Sequence, residues 1–134
     1  MNRHATASDF FFLAAMSTGV REPVLRKQIS DGRIRIVESN GQPIGFLKFY
    51  VLWENLPFLE VIRLQESFRF QRFGTEAVRE WEREMRTAGH NIALISTVVT
   101  ETAQHFWRKI GYEDCGALNF GDRPTELFLV RKLS

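Results

Sequence analysis

The spacing of apolar and polar residues changes several times along the chain, and each change predicts an element. FFFLAAM, Phe10–Met16, is an apolar run behind Thr6-Ala-Ser-Asp9, which has the spacing of a capping box, so a buried first helix is expected there. Residues 20–30, VREPVLRKQIS, read as a second short helix ending near Asp31-Gly32. RIRIVES, Arg33–Ser39, alternates with period two, the pattern of a half-exposed strand. Asn40-Gly41 then marks a tight hairpin, because a two-residue type I′ turn needs positive φ at both positions. The partner strand is IGFLKFYVLW, Ile44–Trp53. Glu54–Pro57 forms a second turn, and FLEVIRLQ, Phe58–Gln65, the third strand of a meander.

Beyond the meander the period lengthens to that of a helix, roughly Phe73 to Ala88. Ala77, Trp81, Met85 and Ala88, with Val78 beside them, make one apolar stripe, while Glu and Arg fill the rest. Gly89 suits the position just past the helix end. NIALISTV, Asn91–Val98, reads as an apolar strand covered on both faces. Thr100 can cap the next helix, whose inward face is Ala103, Phe106, Trp107 and Ile110, and Gly111 ends it. Closing strands are expected near Tyr112–Asn119 and Thr125–Leu133, with Gly121–Pro124 as their turn. Two helices, three strands, helix, strand, helix and two strands describe one α/β domain over residues 1–134, a mixed sheet with helices on its faces.

Composition narrows the partners. A chain of 134 residues suits one domain with one core, and 44% hydrophobic with 25% charged residues is ordinary for a globular protein. A formal charge of +2 makes no case for nucleic-acid binding. Arginine far outnumbers lysine, which suits bidentate contacts to phosphate. Cys115 is the one cysteine, and His4, His90 and His105 are scattered, so neither a disulfide nor a metal site is expected. Phe10–Met16 behind a basic N-terminus resembles a signal-peptide core, but Asp9 precedes it directly and the run is too short to cross a membrane. A cytoplasmic protein with a buried first helix is the expectation.

The stretch RFQRFGTEA, Arg69–Ala77, lies between a strand and a helix. Backbone N–H groups at a helix N-terminus point at whatever lies before them, so this loop suits a pyrophosphate. With only Gly74 in it, crowded by Phe70, Arg72 and Phe73, it reads equally as an ordinary connection with surface arginines.

The segment TETAQHFWRKIGYED, Thr100–Asp114, adds a second pattern, Thr100-x-x-Ala103-x-x-x-Trp107-x-x-x-Gly111-Tyr112. It resembles the Asn-x-x-Ala-x-x-x-Tyr-x-x-x-Gly-(Phe/Tyr) pattern of the GNAT superfamily of N-acetyltransferases. That family's (Arg/Gln)-x-x-Gly-x-(Gly/Ala) falls on Arg69, Arg72 and Gly74. RHATASD resembles the start of its first strand and helix, giving the order β-α-α-β-β-β-α-β-α-β-β over essentially the whole chain. The resemblance implies acetyl-coenzyme A as cofactor and acetyl transfer to an amine, small-molecule or peptide, by direct attack without a covalent enzyme intermediate. It places Arg69, Phe70, Gln71, Arg72, Phe73, Gly74 and Thr75 around the pyrophosphate, and backbone groups of Leu64 and Gln65 beside the pantetheine amides.

The sequence departs from the family pattern at three positions. Arg72 replaces the first glycine of the loop, and Thr100 stands where Asn often bonds the pantetheine arm. Trp107 stands where a Tyr often protonates the departing thiolate; an indole N–H is a donor only, able to orient the sulfur or hold a water but not to act as a general acid. Counting back along the third strand, Glu60 falls near the acetyl group and shares a face with Ile62 and Leu64. It is either the general base or a strand-end carboxylate in solvent. Glu54 is a second carboxylate, suited to attracting a cationic acceptor, and Trp53 and Phe58 either wall that pocket or pack the core. Glu101 and Asp114 read as solvated helix-end charges, and Cys115 lies outside the motif positions. The alternative to an enzyme is the same fold serving as a non-catalytic ligand-binding or interaction module. A homodimer formed through the closing strands is compatible with either.

Overall fold

The computed structural model describes residues 1–133. Its elements are β1 (Asn2–His4), α1 (Phe10–Met16), α2 (Glu22–Ser30), β2 (Ile34–Ser39), β3 (Gln42–Leu52), β4 (Leu56–Leu64), α3 (Phe73–Thr87), β5 (Ile92–Val98), α4 (Ala103–Lys109), β6 (Glu113–Leu118) and β7 (Glu126–Lys132). Short 3-10 turns cover Ala7–Asp9 and Glu66–Phe68. This is the element order that the sequence predicts. The fold class is mixed α/β, with a seven-stranded sheet in the order β1-β2-β3-β4-β5-β7-β6. β4 and β5 run parallel, while β1–β2, β2–β3, β5–β7 and β6–β7 are antiparallel.

Several boundaries move for local reasons. α2 begins at Glu22 because Arg21 is extended and Pro23, with its fixed φ and missing N–H, belongs in a first turn. Asn40 and Gly41 take φ of 53° and 75°, as a type I′ turn requires. The second hairpin is tighter than the Glu54–Pro57 turn expected from sequence. Trp53 and Glu54 take φ of 52° and 64°, and the Asn55 N–H donates to the Leu52 carbonyl at 3.1 Å. Trp53 therefore leaves β3, and Leu56 and Pro57 join β4. A two-residue turn of this hand matches strand twist, and that geometry prevails over the reluctance of Trp and Glu to adopt left-handed backbone.

The chain forms two compact units. The first comprises Met1–Phe49 and Val61–Trp81. Its core gathers Phe10 and Leu13 from α1, Leu25 and Ile29 from α2, and Ile34, Ile36 and Phe46 from β2 and β3. α1 is half-buried rather than buried, since Phe11 stays 80% exposed. β2 is covered on both faces instead of alternating, with Ile34, Arg35, Ile36 and Val37 all buried. Arg35 tolerates this because its Nη1 donates to the Gly32 carbonyl at 2.8 Å and its guanidinium lies 5.1 Å from the Phe49 ring centre. Gly45 has a steric role: a Cβ there would fall 2.3 Å from the Arg63 carbonyl oxygen. The absence of that Cβ lets β3 close on the end of β4, where the Gln65 N–H donates to the Ile44 carbonyl at 2.7 Å.

The start of α1 is tied down by charge. Both carboxylate oxygens of Asp9 accept from Arg3, each at 2.9 Å, and one also accepts the Thr6 N–H at 2.8 Å. The Arg3 hydrogen bonds hold the Asp9 carboxyl below the usual carboxylate range, against the opposing effect of burial. Because the folded value is the lower one, this stabilisation is complete above the unfolded value of about 3.9 and is lost as pH falls through the folded value. Asp9→Asn should cost about 1–2 kcal/mol at neutral pH, the low part of the range for charged hydrogen bonds because Arg3 is partly solvated. Thermal melts from pH 7 to 2 check it: the variant's acid limb should be flatter, and an unchanged limb would remove Asp9 from the acid response.

The second unit comprises Tyr50–Glu60 and the chain from Glu82 on. β5 buries Ala93, Ile95 and Thr97 on one face and leaves Ile92, Leu94, Ser96 and Val98 half-buried, so only one face is fully covered. α4 begins at Ala103 with Thr102 at its N-cap, two residues later than a cap at Thr100 implies. The intervening turn is closed by the Glu101 N–H on the Val98 carbonyl at 2.9 Å. α3 ends at Thr87, so Ala88 falls outside its apolar stripe and is exposed.

Candidate functional site

In the first unit, the loop Arg69–Arg72 is held by contacts within the chain. Phe70 carries a φ of 59° and a fully exposed ring. The Gln71 side-chain amide donates to the Ser67 carbonyl at 3.0 Å, and the rings of Phe68 and Phe73 meet edge-on at 5.3 Å. α3 follows, its Glu76 N–H donating to the Arg72 carbonyl at 2.9 Å. The N–H groups of Phe73, Gly74 and Thr75 precede that bond and so point out of the helix end, where the helix dipole is positive. Both arginines of the motif have intrachain contacts. The Nε of Arg69 donates to the Leu64 carbonyl at 2.9 Å. Arg72 is largely exposed and pairs with Glu76 at 3.3 Å, one helical turn on.

Leu64 ends β4 and Gln65 follows it, and three of their backbone polar groups are engaged. The Leu64 carbonyl holds Arg69, the Gln65 N–H bonds Ile44 at 2.7 Å, and the Gln65 carbonyl accepts the Phe68 N–H at 2.9 Å. The side chain of Leu64 is buried.

In the second unit, β4 pairs with β5 at Phe58–Leu94 and Leu59–Ile95, so Glu60 directly follows the last parallel pair. Glu60 is exposed, on the strand face it shares with half-buried Phe58 and opposite buried Pro57 and Leu59. Phe58 packs towards Phe128, ring centres 6.3 Å apart. Trp53 and Glu54 sit at the exposed tip of the same hairpin, with Trp53 83% exposed. Thr100 is exposed in the turn before α4.

Trp107 is buried on α4, its ring 5.0 Å from Phe106 and 5.3 Å from Tyr112, both edge-on. The helix closes with the Tyr112 N–H on the Trp107 carbonyl and the Gly111 N–H on that of Arg108, with Gly111 at a φ of 106°. These are the paired bonds of a Schellman motif, completed by the Trp107–Tyr112 ring contact. Asp114 lies on β6, not at a helix end, and takes both Nε and Nη2 of Arg108 at 2.8 and 2.9 Å. Partial burial and the Asp114 charge push the Cys115 thiol up, which works against a thiolate nucleophile there. Among the described residues, no group of three His, Cys, Asp or Glu side chains could hold a metal ion, and no helix is long and apolar enough to cross a membrane.

A buried charge on α3 was not expected from the sequence. Glu82, assigned to the polar face of α3, is only 1% exposed and accepts the Tyr112 hydroxyl at 2.7 Å and Arg131 Nη1 at 2.8 Å. The available signal was its spacing, four residues after Val78 and three before Met85, which puts it on the buried flank of the apolar stripe.

A family model described as the acetyltransferase (GNAT) family matches residues 5–112. A search of curated proteins finds no sequence match. Solved structures share the fold at low identity. Ard1 from Thermoplasma volcanium is 12% identical with a TM-score of 0.82, over 98% of this chain and 96% of that one. Ribosomal-protein-alanine N-acetyltransferase from Brucella melitensis is 20% identical with a TM-score of 0.77, over 98% and 99% of the two chains. yncA from Salmonella typhimurium, described with its cofactor acetyl-CoA, is 13% identical with a TM-score of 0.79, over 100% and 94%. The match of the family model across most of its length shows that the chain belongs to the acetyltransferase (GNAT) family.

Proposed function

We propose that the chain is an acetyl-CoA-dependent N-acetyltransferase that acetylates a small-molecule or peptide amine, residues 1–134 forming one catalytic domain. The observation that carries this is the start of α3. Three outward N–H groups at the positive end of a 15-residue helix, flanked by Arg69 and Arg72, form a donor set with no carbonyl ligand in it, which fits a pyrophosphate. The yncA structure with acetyl-CoA, and an aminoglycoside 6′-N-acetyltransferase complexed with coenzyme A, have this fold and support the choice of donor.

When bound, the donor supplies an activated thioester that a deprotonated amine attacks directly. The chain's part is to bind, orient and move a proton. The N–H groups of Phe73, Gly74 and Thr75 hold the phosphates, with Phe70 and Gln71 shaping the loop that presents them. Arg69 contributes its Nη groups, since its Nε is committed to Leu64. In the first unit, the backbone of Leu64 and Gln65 is assigned to the pantetheine amides; in the second, Thr100 is assigned to a pantetheine contact. Glu60 takes the proton from the acceptor ammonium at its carboxylate oxygen, directly or through a water. Glu54 and Trp53 at the hairpin tip, with Phe58, receive the cationic acceptor. Trp107 orients the reacting end but has no titrating proton to give, so proton return to the leaving sulfur falls to solvent.

Titration calorimetry with coenzyme A tests the binding half. Arg72→Ala should weaken binding by about 1.5 kcal/mol, the low end for hydrogen bonds to charged groups, because Arg72 must first leave Glu76. Arg72→Gly removes the charge and restores the family's glycine together. If that variant binds much tighter than wild type, Arg72 obstructs the loop instead of serving it. Absence of binding at millimolar coenzyme A would reduce the loop to an ordinary turn. Binding without thiol release across an amine panel would favour the non-catalytic module.

A further inference from the structure

The Glu82 carboxylate, almost without solvent, would be costly to bury without hydrogen-bond donors, and Tyr112 and Arg131 are two that it has. Each donor also touches the end of α4. Tyr112 is held at both ends, its hydroxyl on Glu82 at 2.7 Å and its N–H on the Trp107 carbonyl at 3.0 Å. Between those bonds its ring packs edge-on against the Trp107 indole at 5.3 Å. Arg131 reaches Glu82 past Gly111, where a Cβ would come within 3.2 Å of the arginine Nε. Glu82, Tyr112, Gly111 and Arg131 thus close a ring around the Schellman cap of α4. Apolar packing has no preferred direction, whereas a buried charged hydrogen bond does, so the ring fixes an orientation that packing alone would leave loose.

We infer that Glu82 is a positioning residue: through Tyr112 and Arg131 it fixes the last turn of α4 and, with it, the indole of Trp107. Its catalytic meaning rests on the proposed placement of Trp107 at the reacting end of the site. Tyr112→Phe keeps the ring and deletes only the hydroxyl, and Glu82→Gln keeps the shape and deletes the charge. Circular dichroism melts first establish that each variant is folded. The primary readout is the indole N–H resonance of Trp107 in ¹⁵N-labelled protein, assigned by its loss in Trp107→Phe. It should shift or broaden in both variants while that of exposed Trp53 stays in place. The second readout is kinetic: kcat should fall about two- to fivefold, no further than in Trp107→Phe itself, with the coenzyme A Kd nearly unchanged. In a Trp107→Phe background, Tyr112→Phe should add no further loss of kcat. A Trp107 resonance that does not move in folded Tyr112→Phe protein overturns the inference. So does full additivity with Trp107→Phe, because Tyr112 would then act independently of the indole. If the resonance moves but the wild type transfers no acetyl group to any amine, the positioning role stands and the proposed activity falls.

Discussion

Glu60→Gln should lower turnover at neutral pH by about 10²-fold or more while leaving coenzyme A affinity nearly unchanged. The amide keeps the size and polarity of the carboxylate but cannot take a proton. The proposal rests on the position of Glu60 along β4. Glu60 is the first residue of β4 after its parallel pairing with β5 at Leu59–Ile95, and its side chain is exposed, so proton exchange with solvent is open to it. The sites proposed for the phosphates begin at Arg69, beyond the end of the strand, which is why affinity should survive the change. Steady-state kinetics on a verified acceptor, beside calorimetry with coenzyme A, separate the two effects. Turnover equal to wild type would remove Glu60 from the mechanism and leave Glu54 or bulk water as the base.

Trp107→Ala should cost about 3–5 kcal/mol of folding stability, the range for deleting a large buried aromatic side chain. Trp107 is 6% exposed and packs against both Phe106 and Tyr112, so truncation leaves a cavity beside the cap of α4. Against a total stability of about 5–15 kcal/mol, that loss could leave much of the protein unfolded at physiological temperature. Urea denaturation followed by far-UV circular dichroism measures it directly. Trp107→Phe retains much of the apolar volume and removes the N–H, so turnover should fall only modestly. A well-folded Phe variant with no turnover would show that the indole N–H itself is needed.

Much of this protein follows from patterns contained within a few residues. Periodicity set the type and order of the elements, because a helix or strand buries a face whose spacing is written locally; Ala77, Val78, Trp81 and Met85 are buried as their spacing requires. Turn chemistry placed Asn40-Gly41 and Gly111, since positive φ is a property of one or two residues. The two motifs were legible for the same reason, each lying in one loop or one helix.

What the sequence could not decide depends on partners distant along the chain. Glu82 resembles any charge on an amphipathic helix until Tyr112, 30 residues away, and Arg131, 49 residues away, are brought to it. Arg35 alternates like an exposed strand residue, yet its strand is covered on both faces. The carbonyl of Leu64 and the N–H of Gln65 have partners only because Gly45 admits the end of β4 and the loop folds Arg69 back. Trp53 and Glu54 become a turn because strands β3 and β4 must meet in register, a demand stronger than either residue's own preference. Local pattern sets what each segment is, because backbone geometry and face burial act over one or two turns. Tertiary structure alone settles which charges are buried and which backbone groups are engaged, because a polar group can enter the interior only where another segment supplies its hydrogen bonds.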